Sequence, residues 1–238
     1  MTAASGSFAH ASGRSRREGE LRQRQLLLVL LAVNSGGIDA FGFVSLGGAF
    51  TSVMTGNMIL TGIAVSTKDA ELGARSALAI AFFMSGAFVG TRIARAPQSD
   101  DPVWPRPVTV ALALELLILS ACAVVWWTVG GHPSGGVQLL LLAAYAVALG
   151  LQSSAILRFG VSGLSTTYMT GTLTTLVSTL AQGRHPRNVV PSGQILLGLV
   201  AGAGAATLLA KEVVLAVPLL QLLPVVITLV IAHFRTSA

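Results

Sequence analysis

Charge is what this 238-residue chain has least of: 10% of its residues are Asp, Glu, Lys or Arg, and 53% are hydrophobic. A soluble domain carries about a quarter charged residues, so this composition excludes one. Cysteine is nearly absent too. The one thiol, Cys122, excludes a disulfide framework and a Cys-based metal centre, and its place in an apolar run beside Trp126 and Trp127 reads as inert packing. His10, His132, His185 and His233 fall in four separate segments with no acidic neighbour at ligand spacing, so no metal or other cofactor is expected. No Gly-x-x-x-x-Gly-Lys-Ser/Thr sequence is present, which excludes a P-loop for ATP. On a soluble protein the net charge of +6 would point to nucleic acid. Here the basic residues sit between long apolar runs, so the expected partner is the lipid bilayer and no nucleic acid.

What the chain has in quantity is apolar length. Spanning a hydrocarbon core of about 30 Å takes about 20 mostly apolar residues. Six runs meet that: Leu26–Leu46, Ala74–Ala94, Val108–Val129, Val137–Leu157, Val190–Ala210 and Val213–Ala232. Phe50–Ser66 and Leu164–Ala181 are shorter and rich in Thr, Ser, Asn and Gly, which suits re-entrant or broken half-helices, with full spans and eight helices as the alternative. Residues 1–25 hold Arg14, Arg16, Arg17, Arg22 and Arg24 without apolar periodicity and read as a disordered basic cytoplasmic tail. Arg16-Arg17 ahead of Leu26–Val33 resembles a twin-arginine or secretory signal, but Glu18 and Glu20 interrupt the basic stretch and no small-x-small cleavage site follows.

The two halves of the chain match. Gly37-Ile38-Asp39 leads to Met54-Thr55-Gly56-Asn57, and Gly150-Leu151-Gln152 leads to Met169-Thr170-Gly171-Thr172. After each comes a helix with spaced glycines suited to close packing, Gly86 and Gly90 in the first half, Gly198 and Gly202 in the second. Residues 26–136 and 137–234 are thus two membrane repeats, and 235–238 a short cytoplasmic tail. If both Thr-Gly segments re-enter, only Lys68, Arg75 and Lys211 of the fifteen basic residues lie outside, whereas eight full spans would move Arg92, Arg95, Arg106 and Arg158 out beside Lys211. The bias of Lys and Arg to the cytoplasmic side favours six crossings. Three crossings per half then insert the halves oppositely, as in many secondary transporters. The expected fold class is all-α: a polytopic membrane protein of about six transmembrane helices with two short re-entrant or broken half-helices, in two inverted three-span repeats, its N-terminus cytoplasmic.

Asp39 lies about 20 Å beyond Leu26, past the middle of its span. A charge at helix centre costs about 2.5 kcal/mol or more, so Asp39 should be protonated, paired or facing water. Gly36 and Gly37 would let the helix break there, leaving Asp39 as cap of a half-helix; the functional alternative makes it a proton or cation carrier with Asn34 nearby. Gln152 takes the corresponding place in the second half and would face it. Thr55, Gly56 and Asn57, with Thr170, Gly171 and Thr172, offer hydroxyls and bare backbone for a central solute or ion site. The structural alternative has those hydroxyls bonding back to their own helices. Glu115 reads as structural, bending out toward interfacial water or Arg106. Arg158 reads as a cation closing a helix C-terminus.

Gly37-Ile38-Asp39-Ala40, with Phe50 and Met54-Thr55-Gly56-Asn57 after it, resembles the YoaK-like family of bacterial membrane proteins from about residue 22 onward. The resemblance implies a bacterial inner-membrane protein of about six spans and points to no particular activity. Asp39, Thr55, Gly56 and Asn57 are the matching positions; Thr172 stands where a copy of the motif would have Asn.

Three functions compete. Inverted halves, interrupted polar segments and a buried carboxylate favour a secondary transporter or permease of a small solute or ion, with proton coupling through Asp39 as one version. A non-transporting scaffold or partner subunit, or a homo-oligomer, would use the Gly-x-x-x-Gly faces. An enzyme is not expected: Gly36-Gly37-Ile38-Asp39 resembles an intramembrane protease element without a second aspartate, and Gly160-Val161-Ser162-Gly163 lacks the last glycine of a nucleophile elbow because Leu164 follows.

Overall fold

The computed structural model describes residues 3–94, 104–158, 169–183 and 190–236, and the regular structure there is helical throughout. The elements are α1 (Ala3–Ser45), α2 (Met54–Thr67), α3 (Ala70–Ala94), α4 (Arg106–Thr128), α5 (Gly135–Leu157), α6 (Met169–Ala181), α7 (Val190–Glu212) and α8 (Val217–Thr236), with a 3-10 turn, Val214–Ala216, ahead of the last. Six stretches are long and apolar enough to cross a membrane: Leu21–Ser45, Ala70–Ala94, Arg106–Thr128, Gly135–Leu157, Val190–Glu212 and Val214–Phe234. These match the six apolar runs. The protein is a helical transmembrane protein.

Two expectations fail in α1. Residues 3–25, expected to be disordered, are helical in continuity with the span. Leu21, Arg22, Gln23, Arg24 and Gln25 are good helix formers, and extending a helix already formed needs no new nucleus. Nor does the helix break at Gly36-Gly37, for it runs unbroken to Ser45.

The two short segments are α2 and α6, of 14 and 13 residues. At about 1.5 Å per residue each is about 20 Å long, too short for a core of about 30 Å. Residues 164–168, counted with the second segment in the sequence, lie outside the described residues. After Ser45 the chain turns through Gly47 and Gly48, both at positive φ, and doubles back along α1, so that Ser52 Oγ reaches Ser35 Oγ at 3.3 Å. From there α2 starts, against Phe83 of α3 and Ala146 of α5. It ends at Lys68, in the left-handed conformation, and Asp69 begins α3 by accepting from Leu72 N–H at 3.0 Å.

The long helices pack in exchanged pairs: α3 lies along α5, and α7 along α1. In both pairs glycines bring backbone against backbone. A Cβ at Gly86 would collide with the Val147 carbonyl, and one at Gly150 with the Phe83 carbonyl. In the other pair Gly202 meets the Val33 carbonyl and Gly36 the Leu199 carbonyl in the same way. Gly86 therefore corresponds to Gly202, and Gly150 to Gly36. The match of Gly86 with Gly198, drawn from sequence, is out of register by four residues, and that of Gly37 with Gly150 by one. Gly37 shows why, since a Cβ there would have 3.4 Å to its nearest neighbour, an ordinary contact. Gly90 and Gly198 are buried at the same interfaces.

Gly202→Ala and Gly204→Ala, two positions apart on α7, should move stability in opposite directions. A methyl at 202 runs into the Val33 backbone and should cost about 1–3 kcal/mol, while a methyl at 204 meets nothing within 4 Å and should gain up to about 1 kcal/mol of helix propensity. Thermal unfolding of the purified variants in detergent reads both.

Candidate functional site

The polar residues of the apolar core form two separate assemblies. The first surrounds Asp39, which is 5% exposed. Its Oδ1 accepts from Thr51 N–H (2.8 Å), Thr51 Oγ1 (2.9 Å) and Ser52 N–H (2.7 Å), and its Oδ2 from Ser52 Oγ (2.5 Å). Asp39 thus caps the returning segment before α2 and not a break in its own helix. Asn57 closes the same turn from the other side, accepting from Phe50 N–H at 2.9 Å and donating Nδ2–H to the Phe50 carbonyl at 2.7 Å. Gly56 makes room for the Phe50 ring, since a Cβ there would stand 3.1 Å from Phe50 Cδ2, and that ring stacks on Phe43 at 4.8 Å. The aspartate and the Met-Thr-Gly-Asn motif are therefore one device, a latch that holds the doubled-back chain.

The second assembly lies where α1, α4 and α5 meet. Asn34 Nδ2 donates to Glu115 Oε1 at 3.1 Å and to Gln152 Oε1 at 3.2 Å, and Gln152 Nε2 donates to the Leu31 carbonyl at 3.2 Å. All three side chains are buried, Glu115 and Gln152 at 0% exposure. Two sequence expectations change here. Gln152 faces Asn34 and not Asp39: it is held by Asn34 and by the Leu31 carbonyl one turn earlier on α1, while Asp39 is turned to Thr51 and Ser52 of the returning segment. Glu115 does not bend outward: it belongs to the buried stripe Val108, Leu112, Glu115, Leu119, Cys122 and Trp126, whose alternating steps of four and three keep to one helix face. Glu115 Oε2 and Asn34 Oδ1 have no hydrogen-bond partner among the described residues.

Two turns along from these residues, on each of the three helices, stand Phe41, Cys122 and Tyr145. Phe41 meets Trp126 and Tyr145 edge-on at 4.8 and 5.7 Å, and Tyr145 donates its hydroxyl to Gln221 Oε1 of α8 at 2.7 Å. In the other direction buried Leu27, Leu28, Val108 and Ile156 close the bundle. The Asn34–Glu115–Gln152 cluster is thus enclosed from both ends.

The remaining site residues lie elsewhere. Thr55, Thr170 and Gly171 are exposed, and Thr172 is buried at the position that Asn57 has in the first half. In α6 the hydroxyls of Thr174 and Thr175 donate to the Thr170 and Gly171 carbonyls, the local bonding that competes with a solute role. Arg158 is buried, and its guanidinium donates to the carbonyl of Ala94, the last residue of α3, so it closes a neighbouring helix and not its own. The Gly160–Leu164 stretch weighed as a nucleophile elbow lies outside the described residues. Glu115 is the residue the sequence pointed away from; its step along the buried stripe was the available signal, masked because the whole span is apolar.

The family model described as "Protein of unknown function (DUF1275)" matches residues 27–233. The chain is also similar to the UPF0700 transmembrane protein YoaK of Bacillus subtilis (strain 168), 33% identical over 158 residues, which are 66% of this chain and 68% of that protein. No solved structure matches the chain.

Asp39→Ala would leave two buried N–H groups without an acceptor and should destabilise the protein by about 2–4 kcal/mol. Asp39→Asn retains one acceptor oxygen and should lose less. Hydrogen exchange at the amides of residues 50–53 should quicken strongly in the alanine variant; unchanged protection there would remove the latch.

Proposed function

The chain belongs to the DUF1275 family and is a transmembrane protein, and from that premise we propose that it is a secondary transporter of a small solute or ion. The observation that carries this reading is the enclosed cluster of Asn34, Glu115 and Gln152: an ionisable side chain in a membrane interior is expensive to keep, and such residues mark substrate and ion pathways. In this reading the site is the contact of α1, α4 and α5, and the Asp39 latch is its scaffold.

Two further features support the reading. The exchanged pairs, α1 with α7 and α3 with α5, interlock each half with the other through equivalent glycine crossings, as expected of two repeats. With three spans per half the repeats are inverted, and rocking one against the other would expose the centre to each side in turn. The latch returns the chain to mid-bundle before α2, the behaviour of a re-entrant segment. In this reading the N-terminus is cytoplasmic and the bundle lies in the inner membrane of a bacterial cell, a topology that the Lys and Arg distribution supports.

The topology is tested by labelling single cysteines in a Cys122→Ser background with a membrane-impermeant maleimide. Positions 68 and 132, both exposed, should label in intact cells, and positions 106 and 182 only after permeabilisation. Label at position 106 in intact cells would remove the inverted arrangement. Transport is tested in proteoliposomes offered a panel of radiolabelled amino acids, sugars and carboxylic acids: uptake should fall at least tenfold in Glu115→Ala. Absence of uptake across the panel, with one protein copurifying in fixed ratio, would favour the scaffold instead.

A further inference from the structure

Glu115 and Asn34 present more acceptor oxygens than the surrounding donors satisfy. Both N–H bonds of the Asn34 amide are committed, one to Glu115 Oε1 and one to Gln152 Oε1. Gln152 Nε2 is held by the Leu31 carbonyl. These partners also fix the amide orientations: flipping Gln152 would set its oxygen against the Leu31 carbonyl and its NH2 against the Asn34 NH2, and flipping Asn34 would set its oxygen against two others. What remains is Glu115 Oε2 and Asn34 Oδ1, two buried oxygens without a partner. A donor or a cation completes such a pair.

We infer that Glu115 Oε2 and Asn34 Oδ1 hold one monovalent cation, a sodium ion or a proton, as the ion that the transporter carries or couples to. This deepens the transport reading and rests on it for the word "carries"; the binding itself does not. Charge sets the valence. The cluster has one carboxylate and two neutral amides, so one positive charge neutralises it, whereas a divalent ion would leave a net charge buried among Leu31, Ile38, Leu112, Leu119 and Leu149. No group of three His, Cys, Asp or Glu side chains suited to a metal occurs among the described residues, which also speaks against a divalent site.

The surrounding ionisable groups are engaged elsewhere. On α1, Asp39 takes four hydrogen bonds from Thr51 and Ser52. On α5, the Arg158 guanidinium donates to the Ala94 carbonyl, and the Tyr145 hydroxyl donates to Gln221. On α4, Arg106 is exposed at the start of the helix, and Cys122 is buried two turns from Glu115. No basic side chain hydrogen-bonds to Glu115 among the described residues. A proton would need only one oxygen to bind to, the Glu115 carboxylate. A sodium ion would add backbone carbonyls or water.

The test uses the full-length protein in lipid nanodiscs. In the sodium arm, thermal unfolding is followed at fixed pH as sodium chloride replaces choline chloride at constant ionic strength. The wild type should gain about 5 °C in Tm, saturably, and the gain should be absent in Glu115→Gln and retained in Asp39→Asn. Glu115→Gln also puts an NH2 where the cation would sit, able to donate to Asn34 Oδ1, so without sodium it should melt at or above the sodium-saturated wild type. Glu115→Asp, a second variant that keeps the charge but withdraws it by one methylene, should need about tenfold more sodium. In the proton arm, infrared spectra in choline buffer should show a protonated-carboxyl C=O stretch that Glu115→Gln removes and Asp39→Asn leaves. Either arm alone identifies the cation. Wild type without a sodium-specific gain and without that carboxyl band, or Glu115→Gln responding like the wild type, overturns the inference. The proteoliposome assay is independent: a cation response without flux keeps the site and removes transport, and flux without a cation response removes the cation and keeps transport.

Discussion

The fold depends on how closely two helices can approach inside an apolar bundle. Lipid tails are as apolar as the side chains of a membrane helix, so helix association cannot draw on expelling water and rests on close packing. At Gly36 and Gly202, and again at Gly86 and Gly150, the backbones approach until no Cβ fits. Those two crossings fix the partners, α1 with α7 and α3 with α5. Once they are fixed, one face of α1 and one of α5 remain for α4 and α8. On these faces the buried positions follow the same alternating steps of four and three: Leu27, Leu31, Asn34, Ile38 and Phe41 on α1, and Val108, Leu112, Glu115, Leu119 and Cys122 on α4. Asn34 and Glu115 meet because both stand at the same step of the same repeat.

The two buried acids are in opposite situations. Hydrogen bonds to a charged group contribute about 1.5–3 kcal/mol each, and placing a carboxylate at mid-membrane costs about 2.5–3.5 kcal/mol on insertion scales. With four donors, Asp39 is more than compensated, and a residue held so firmly suits a structural task. Glu115 has one donor, which does no better than break even, and its second oxygen has none. Depth in the span, the criterion that singled out Asp39 from sequence, does not separate these cases. The number of donors does, and donors such as the N–H groups of Thr51 and Ser52 come from a segment whose return along α1 no local pattern announces.

Much of the architecture was nevertheless legible. Apolar length identified the six stretches able to cross a membrane to within a few residues, because bilayer thickness imposes a length on each span. The polar interruption at Phe50–Ser66 marked a short helix correctly, since Thr, Asn and Gly weaken a lipid-facing span. The role of Gly36-Gly37 was misjudged: two adjacent glycines look like a break, but a helix with a neighbour pressed against it uses the missing Cβ for contact. The tail was misjudged for a related reason, its charges concealing residues that favour helix once a helix is there to extend. Residues whose meaning is local were readable. Those whose meaning is a partner many residues away, Gln152 above all, were not.

The register of the crossings carries the comparison of the halves one step further. With Gly36 equivalent to Gly150, Asp39 corresponds to Ser153, Asn34 to Ala148, and Gln152 to Ile38. Of these three pairs only Asp39 with Ser153 is polar on both sides, and no carboxylate is repeated, while all four crossing glycines are. Packing is therefore what the halves have in common, and the chemistry is what distinguishes them. A search for repeated polar residues leads to the Thr-Gly motifs, which in the first half serve the latch. The Asn34–Glu115–Gln152 cluster has no counterpart at the equivalent positions, and it sets a single carboxylate beside two neutral amides. For a buried site that selects one positive charge, that asymmetry is the required condition.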